Sequence, residues 1–426
     1  MPDSPEGVVD HLFRHSAGQM VATLTRIFGP AHLALAEEVV QDALVAALQQ
    51  WKLRGVPDRP AAWLFQVARN RALDHVRRES SLRQKKDQVE RELRDTSEAV
   101  PDASGFAHEL QDDQLQMMLM CCHPSIPEES RIALTLKTVG AFSIGEIARA
   151  FLAKPEAIAQ RIVRAKRLIR DQNIAMELPS RDELPSRLDS LLRVLYLMFN
   201  EGYSAHGGDD LVRIDVCAEA IRLARLVADH RIAGSPSARA LLALMLFQGA
   251  RLAARVDAAG ELATLEEQDR SLWDQAMIRE GLDYLDRSAE GDAVTRWHLE
   301  AGIAACHATA PTFESTDWAY VVEQYDELVK VHASPVVSLN RAIAVAMARG
   351  PEAGIAAVGE IADHPSLRDY LPLSATLGEL WMRNGDPARA AEHFARALDL
   401  PGNMPEKRFL LRKLEQCRRI AAHRGA

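Results

Sequence analysis

Two clusters of basic side chains carry most of the chemistry available to this sequence. Between Arg69 and Lys86 stand seven bases (Arg69, Arg71, Arg77, Arg78, Arg83, Lys85 and Lys86) against two acids, Asp74 and Glu79. Between residues 157 and 170 stand Arg161, Arg164, Lys166, Arg167 and Arg170, with no acid among them. Groups concentrated in this way capture phosphate, and Arg also pairs bidentately with a base edge. Two other sets hold ligand or acid–base types: Cys121-Cys122-His123-Pro124, and His206 with Asp209 and Asp210. Adjacent thiols lack the spacer that lets ligands converge on a tetrahedral zinc, so the first set reads as the end of a helix. The second lies in FNEGYSAHGGDDLVRID (199–215), a Gly-rich connector whose acids cap the helix that follows. No nucleophile-and-base constellation and no phosphate loop is present, so the sequence predicts no catalytic residue, no metal and no cofactor.

The second basic cluster sits in SIGEIARAFLAKPEAIAQRIVRAKRLIR (143–170). Ser143 followed three residues later by Glu146 is a capping-box pattern that starts a helix. Ile144, Ile147, Ala148 and Phe151 share one face of that short helix, Leu152-Ala153-Lys154 make a tight turn, and Pro155 opens the next helix. There Ile158, Ile162, Ala165 and Ile169 share a face, Gln160, Arg164 and Arg167 point the opposite way, and Arg161 and Lys166 lie on the flanks. An apolar inner face and a basic, amide-bearing outer face suit entry into a major groove, where Arg pairs with guanine and Gln with adenine. A basic helix alone is more often solvated surface; the capped first helix and the short turn make this a helix-turn-helix.

Upstream of residue 143, helical periodicity dominates. A first helix carries Val9, Leu12, Phe13, Met20, Leu24 and Ile27 and stops at Gly29-Pro30; a second runs from about 32 to 51. The loop KLRGVPDRP follows, and Pro60 opens a third helix. Residues 80–108 are polar and nearly free of large apolar side chains, which marks a linker. The Pro-bearing stretch ELPSRDELPSR (177–187) separates this half from a long helical remainder.

The 426 residues exceed one ordinary domain, and 47% hydrophobic with 26% charged residues allows a sizeable core. Aromatics at 5%, with abundant Ala, Leu and Arg, favour helices over strands. The expected class is all-α. A net charge of −9 excludes coating of nucleic acid along the whole chain and leaves local binding by the basic clusters. No run approaches the ~18 apolar residues of a membrane span. The N-terminal MPDSPEGVVDHLFRH has acids where a signal peptide has bases, and five scattered cysteines suit a reducing compartment, so the expected location is the cytoplasm, with no membrane partner.

AEEVVQDALVAALQQW (36–51), the proline-bearing loop and AWLFQVARNRALDHVRR (62–78) resemble region 2 of extracytoplasmic-function RNA polymerase sigma factors, and residues 109–172 resemble their region 4. The resemblance covers roughly residues 8–172. It implies core RNA polymerase and promoter DNA as partners. It implies that Glu38, Gln41 and Asp42 meet the clamp helices of the polymerase β′ subunit, and that the loop from Lys52 to Pro60, with Arg54 and Arg59, captures a flipped −10 base. It also implies that Trp63, Arg69, Asn70, Asp74, Arg77 and Arg78 grip the opened nontemplate strand, and that Lys154, Gln160, Arg161, Arg164, Lys166 and Arg167 face the −35 element. Basic grooves and polar base-edge contacts hold single strands in this way. Taken singly the same residues have plainer readings: Trp51 and Phe65 as core, and Asp74 as an ion-pair partner of Arg71, Arg77 or Arg78. Lys154-Pro155 stands where family members often carry a Ser cap.

Near the C-terminus Leu377, Gly378, Trp381, Ala390, Phe394 and Ala397 follow tetratricopeptide spacing, with Pro401 one place early. SLNRAIAVAMARGPEAGIAAVGEI, one repeat upstream, has the same helix–GP–helix outline. A minority of these sigma factors resemble this arrangement, which implies a protein partner or a regulatory contact at the extension. The expected organisation is region 2 at 1–80, a linker at 81–108, region 4 at 109–175, a helical extension at 176–320 and tetratricopeptide-like repeats at 321–426. Two alternatives stand beside it: a helix-turn-helix regulator with a tetratricopeptide sensor, which leaves 36–78 unaccounted for, and an enzyme around His206.

Overall fold

The computed structural model describes residues 5–78, 103–150, 153–203, 214–256, 261–291, 293–402 and 404–424. It divides into two compact units, Met1–Met198 and Phe199–Ala426. Both are helical, as the composition predicts; among the described residues only an isolated bridge, Val256 to Leu262, has β character.

In the first unit α1 (Pro5–Phe28) stops where Gly29 adopts φ 90°, and Pro30 starts a single 3-10 turn. Helix α2 (Leu33–Arg54) ends at Gly55, again at positive φ, and α3 begins at Pro60 and runs to Arg78. Met20, Leu24, Ile27, Val39, Val40, Ala43, Ala47, Trp51, Leu64, Phe65 and Ala68 are buried between them. Helix α4 (Ala103–Cys121) begins inside the span read from sequence as linker. Helices α5 (Glu128–Thr138), α6 (Ile144–Ala150) and α7 (Pro155–Asp171) follow.

The helices on either side of residues 79–102 pack on one another: α4 lies along α1, and Val139 at the end of α5 abuts Gly18. A Cβ on Gly18 would sit 2.0 Å from the carbonyl oxygen of Val139, so this seam requires glycine on α1. At the same seam Asp113 of α4 is buried, accepts from Thr23 Oγ1 at 2.9 Å and pairs with Arg26 Nε at 2.8 Å. A carboxylate taken out of water is tolerated only when paired and hydrogen-bonded, and here it is both.

Helix α8 (Leu184–Tyr203) begins in the first unit. Arg131 of α5 donates to Ser190 Oγ at 2.7 Å, to the Ile126 carbonyl at 2.6 Å and to the Pro124 carbonyl at 2.8 Å. Ser190 in turn donates to the Cys122 carbonyl at 3.0 Å. The boundary between units therefore falls at residue 198 and not at the Pro-bearing stretch before 187.

The second unit continues with α9 (Ile214–Asp229), α10 (Pro236–Gly249), α11 (Gln275–Ser288), α12 (Arg296–Thr309), α13 (Trp318–Val331), α14 (Pro335–Arg349), α15 (Pro351–Gly359), α16 (Leu371–Arg383), α17 (Pro387–Asp399) and α18 (Met404–Arg424). Consecutive helices pack as hairpins, α14 on α15 and α16 on α17 among them. Gly378 lets α17 approach: its Cβ would lie 2.6 Å from the Phe394 ring. Ala390, Phe394 and Ala397 are fully buried there, while Leu377 and Trp381 of the same spacing are half-buried.

Candidate nucleic-acid interface

Helix α7 is built as the sequence predicts. Ile158, Ile162, Ala165 and Ile169 are buried, while Lys154, Gln160, Arg164 and Arg167 are exposed on the opposite side. The capping box on α6 forms, with the Glu146 amide donating to Ser143 Oγ at 3.2 Å and the Ser143 amide donating to Glu146 Oε2 at 2.8 Å. Ile147 and Ala148 are buried beneath it. Phe151 and Leu152 lie outside the described residues. Lys154 caps α7 with extended backbone and no side-chain bond, so the departure from a Ser cap leaves the first turn to Pro155 and the backbone.

The flanks of α7 are engaged. Arg161 pairs with Glu129 at 2.7 Å, and Arg167 with Asp171 at 3.1 Å. The bonds from Arg167 and then Arg170 hold the exposed Asp171 carboxyl below the ordinary carboxylate range. Exposed pairs of this kind are worth a few tenths of a kcal/mol to ~1 kcal/mol, so phosphate displaces them readily. Lys166 is different. Its ammonium turns onto α2 and meets Glu37 Oε2 at 2.5 Å, with only 21% and 13% of the two side chains exposed. The pair joins positions 129 residues apart, which no local spacing rule reaches.

On α2, Glu38, Gln41 and Asp42 are exposed at i, i+3 and i+4, which places them on one face. Asp42 pairs with Arg71 of α3 at 2.6 Å, and Gln41 lines a small gap together with Lys137 of α5 and Ala141 of the turn after it. On α3, Arg69 donates to Gln66 at 3.3 Å and Gln66 donates to Asn70 at 3.4 Å. Asn70 and Asp74 are exposed, Arg69 is half-buried, and Arg54 and Arg59 stand exposed at the ends of the intervening loop. Trp63 is half-buried edge-on to Trp51, with ring centroids 5.4 Å apart, and Phe65 lies in the core. The side chains of Arg77 and Arg78 lie outside the described residues, as do His206, Asp209 and Asp210.

Cys121 and Cys122 end α4, as read from sequence, with both thiols fully buried. Cys121 Sγ lies 3.4 Å from Thr138 Oγ1, and Cys122 Sγ lies 3.7 Å from Thr135 Oγ1. Burial pushes the Cys121 thiol far up and the Cys122 thiol up to about 12, which keeps both protonated and packed as small apolar groups. The Asp113 and Arg131 networks escaped sequence reasoning. A lone Asp on an apolar helix face, amid LQDDQLQMMLM, was the one available sign of the first.

Residues 12–82 match Sigma-70 region 2, and residues 116–169 match Sigma-70, region 4. Residues 187–289 match a family of unknown function (DUF6596). An uncharacterized protein of Rhizobium meliloti (strain 1021) is 37% identical over 410 residues, covering 96% of each chain. No solved structure matches the chain significantly.

Proposed function

Because the chain belongs to the extracytoplasmic-function type of RNA polymerase sigma factor, and so directs promoter recognition and transcription initiation, we propose how its surfaces divide that task. Sigma domains of both kinds bind core RNA polymerase and promoter DNA, and their families are non-enzymatic. In our reading the α2 face of Glu38, Gln41 and Asp42 meets the polymerase clamp. The loop with Arg54 and Arg59, together with Trp63, Arg69, Asn70, Asp74, Arg77 and Arg78, takes the −10 element as a single strand. The outer face of α7, with Lys154, Gln160, Arg164 and Arg167 and the flanking Arg161, reads the −35 element, and Lys166 joins it only when released from Glu37. Chemistry is left to the polymerase, and the site of action is the cytoplasm. Among the described residues no helix is long and apolar enough to cross a membrane.

The observation that carries this reading is the sidedness of α7: four buried apolar residues on one face and an exposed Gln–Arg–Arg set on the other. Transcription by purified core polymerase, with and without the chain, tests it. Promoter-specific starts are expected only with the chain present. Arg164→Ala is expected to lose binding at one base step, and a uniform loss across sequences would make Arg164 a phosphate contact instead.

For the second unit we propose partner-dependent control of promoter use. Its helices line an open groove of about 840 Å³. Trp318, Tyr325, Met347 and Phe409 line it beside Glu379 and Lys413. An apolar groove with a few polar groups at the rim suits a peptide or helix laid along it. Trp318→Ala with Met347→Ala in the full chain is expected to change promoter output while leaving polymerase binding intact. Unchanged output and unchanged regulation would remove this role.

A further inference from the structure

We infer that Arg251 and Arg255, with the Trp273 indole beside them, form a binding site for the terminal phosphate of a small phosphate monoester. The site lies wholly in the second unit, and none of these residues lines the groove proposed above for a peptide. Tyr203, Arg251, Arg255, Arg270 and Trp273 all fall within the match to the family of unknown function. The site does not depend on how the chain meets promoter or polymerase.

Two short turns bring these residues together. Helix α10 ends at Gly249, and Arg251 and Arg255 bracket the single 3-10 turn Leu252–Ala254. Arg270 opens a second 3-10 turn, Arg270–Leu272, and Trp273 follows it. The Asp274 amide donates to the Ala250 carbonyl at 2.9 Å, which sets the indole against Arg251. The Arg251 and Arg270 guanidiniums lie 5.7 and 4.3 Å from the Trp273 ring centroid. That of Arg255 lies 3.7 Å from the ring centroid of Tyr203, the last residue of α8. Arg251 is only 8% exposed, and it donates to the Tyr203 phenol oxygen at 2.7 Å and to the Gln248 side chain.

Three guanidiniums meet here without an acid: among the described residues no carboxylate pairs with Arg251, Arg255 or Arg270. Arg270 is committed to the C-terminal end of α12, where it donates to the His307 and Ala310 carbonyls at 2.8 and 2.7 Å. Such an end carries partial negative charge, and Glu314 adds to it from a distance. Arg251 and Arg255 are left facing neutral oxygens. An ionised group withdrawn from water is tolerated when it is paired. Two nearby donors are also unsatisfied: Arg255 Nε and the indole Nε1 of Trp273, a residue 3% exposed, are buried with no hydrogen-bond partner. The neighbours register the unbalanced positive field. Burial alone would push the Tyr203 phenol up, yet Arg251 and Arg255 bring it below its ordinary range. Burial, and then Arg251 and Arg270, push the His307 imidazole down to about 4. Two uncompensated guanidiniums call for a dianion, and Arg forks match phosphate oxygens bidentately through charge-assisted bonds. The depth of Arg251 admits a terminal phosphate and excludes a diester backbone flanked on both sides.

Equilibrium dialysis of the full chain with radiolabelled inorganic phosphate tests the site, at fixed ionic strength and about pH 8, where the probe is a dianion. Saturable binding of a single phosphate per chain is expected, displaced by glycerol phosphate and not by dimethyl phosphate or malonate. Arg255→Gln is expected to weaken binding at least about tenfold. Arg255→Lys should weaken it less, because the charge remains, and Arg279→Gln, exposed on α11, should leave it unchanged. Hydrogen exchange reads the site without any substitution, so the test survives a variant that fails to fold: phosphate should protect residues 248–256 and 268–275. Absence of saturable binding, unchanged affinity in Arg255→Gln, or protection confined to the basic helices of the first unit overturns the inference. Displacement by malonate or dimethyl phosphate as effective as by glycerol phosphate also overturns it, by assigning the site to carboxylates or to diesters.

Discussion

The Arg131 guanidinium donates to Ser190 Oγ at 2.7 Å, so the first helix of the C-terminal extension is fastened into the core of region 4. The same guanidinium closes the turn after α4 through the Ile126 and Pro124 carbonyls. The match to the family of unknown function begins at residue 187, so the matched segment starts on a helix anchored against α4 and α5.

Removing that guanidinium leaves two carbonyls and a hydroxyl short of a charged donor. Arg131→Ala is expected to cost roughly 2–4 kcal/mol, because hydrogen bonds to charged groups contribute about 1.5–3 kcal/mol each, and of these three two are part-buried and one is exposed. Urea unfolding of the full chain checks the total. A double-mutant cycle with Ser190→Ala should return a coupling of at least about 0.5 kcal/mol, and additivity would mean that the bond does not fasten α8.

The outer face of α7 predicts a salt signature. Each phosphate contact contributes about one unit to the slope of log affinity against log salt. Lys154→Ala is therefore expected to weaken binding on all promoter fragments and to flatten the slope by about one. Gln160→Ala is expected to relax selectivity at one base pair by about 1–3 kcal/mol with an unchanged slope. Anisotropy titrations at several salt concentrations separate the two.

On α3 the two aromatics should respond differently. Phe65 is buried, so Phe65→Ala is expected to cost about 3–5 kcal/mol of stability. Trp63 is half-exposed against the edge of Trp51, so Trp63→Ala is expected to cost less stability and more promoter opening, read by reactivity of unpaired thymines. Equal loss of stability from both would make Trp63 a core residue.

Much of this was legible in the sequence for a simple reason: caps, glycine stops and the faces of α7 depend on neighbours within four positions. Ser143 with Glu146, Pro155, Pro60, Gly29, and the buried set Ile158, Ile162, Ala165 and Ile169 fall where local periodicity puts them. Gly378 with Phe394 was readable because repeat spacing encodes a contact between adjacent helices. What stayed hidden was long-range. Lys166 has the same spacing as a phosphate-facing lysine, and only the fold brings Glu37 to it from 129 residues away. The start of α4 inside an apparent linker is similar, since it is packing on α1 that recruits the helix bearing Asp113.

The buried thiols set an alkaline limit. Cys122 titrates near 12 in the folded chain and near the ordinary ~8.5 when unfolded. Below ~8.5 both states keep the proton and pH has no effect through this group. Above it the unfolded chain releases a proton that the folded chain retains, so stability falls as pH rises, by roughly 2 kcal/mol at pH 10. Cys122→Ala should lose that part of the pH dependence. Urea midpoints at pH 8 and pH 10 for both proteins give the comparison, and identical slopes would place the thiol in contact with solvent.

Two glycines of the second unit decide between helix propensity and packing. Gly359, at the end of α15, has open space where a Cβ would stand, so Gly359→Ala is expected to gain up to about 1 kcal/mol from reduced chain entropy and better helix propensity. Gly378 faces Phe394 with a virtual Cβ only 2.6 Å from the ring, and that ring is itself fully enclosed. Overpacking of about 1–3 kcal/mol then exceeds the same propensity gain, and Gly378→Ala is expected to lose stability. Because the hairpin of α16 and α17 closes around this contact, the loss should be largest there in hydrogen exchange. Adding Phe394→Leu to Gly378→Ala should recover part of it by making room for the methyl group. If Gly378→Ala instead stabilised the protein as Gly359→Ala does, the two helices would not approach as closely as the repeat spacing requires.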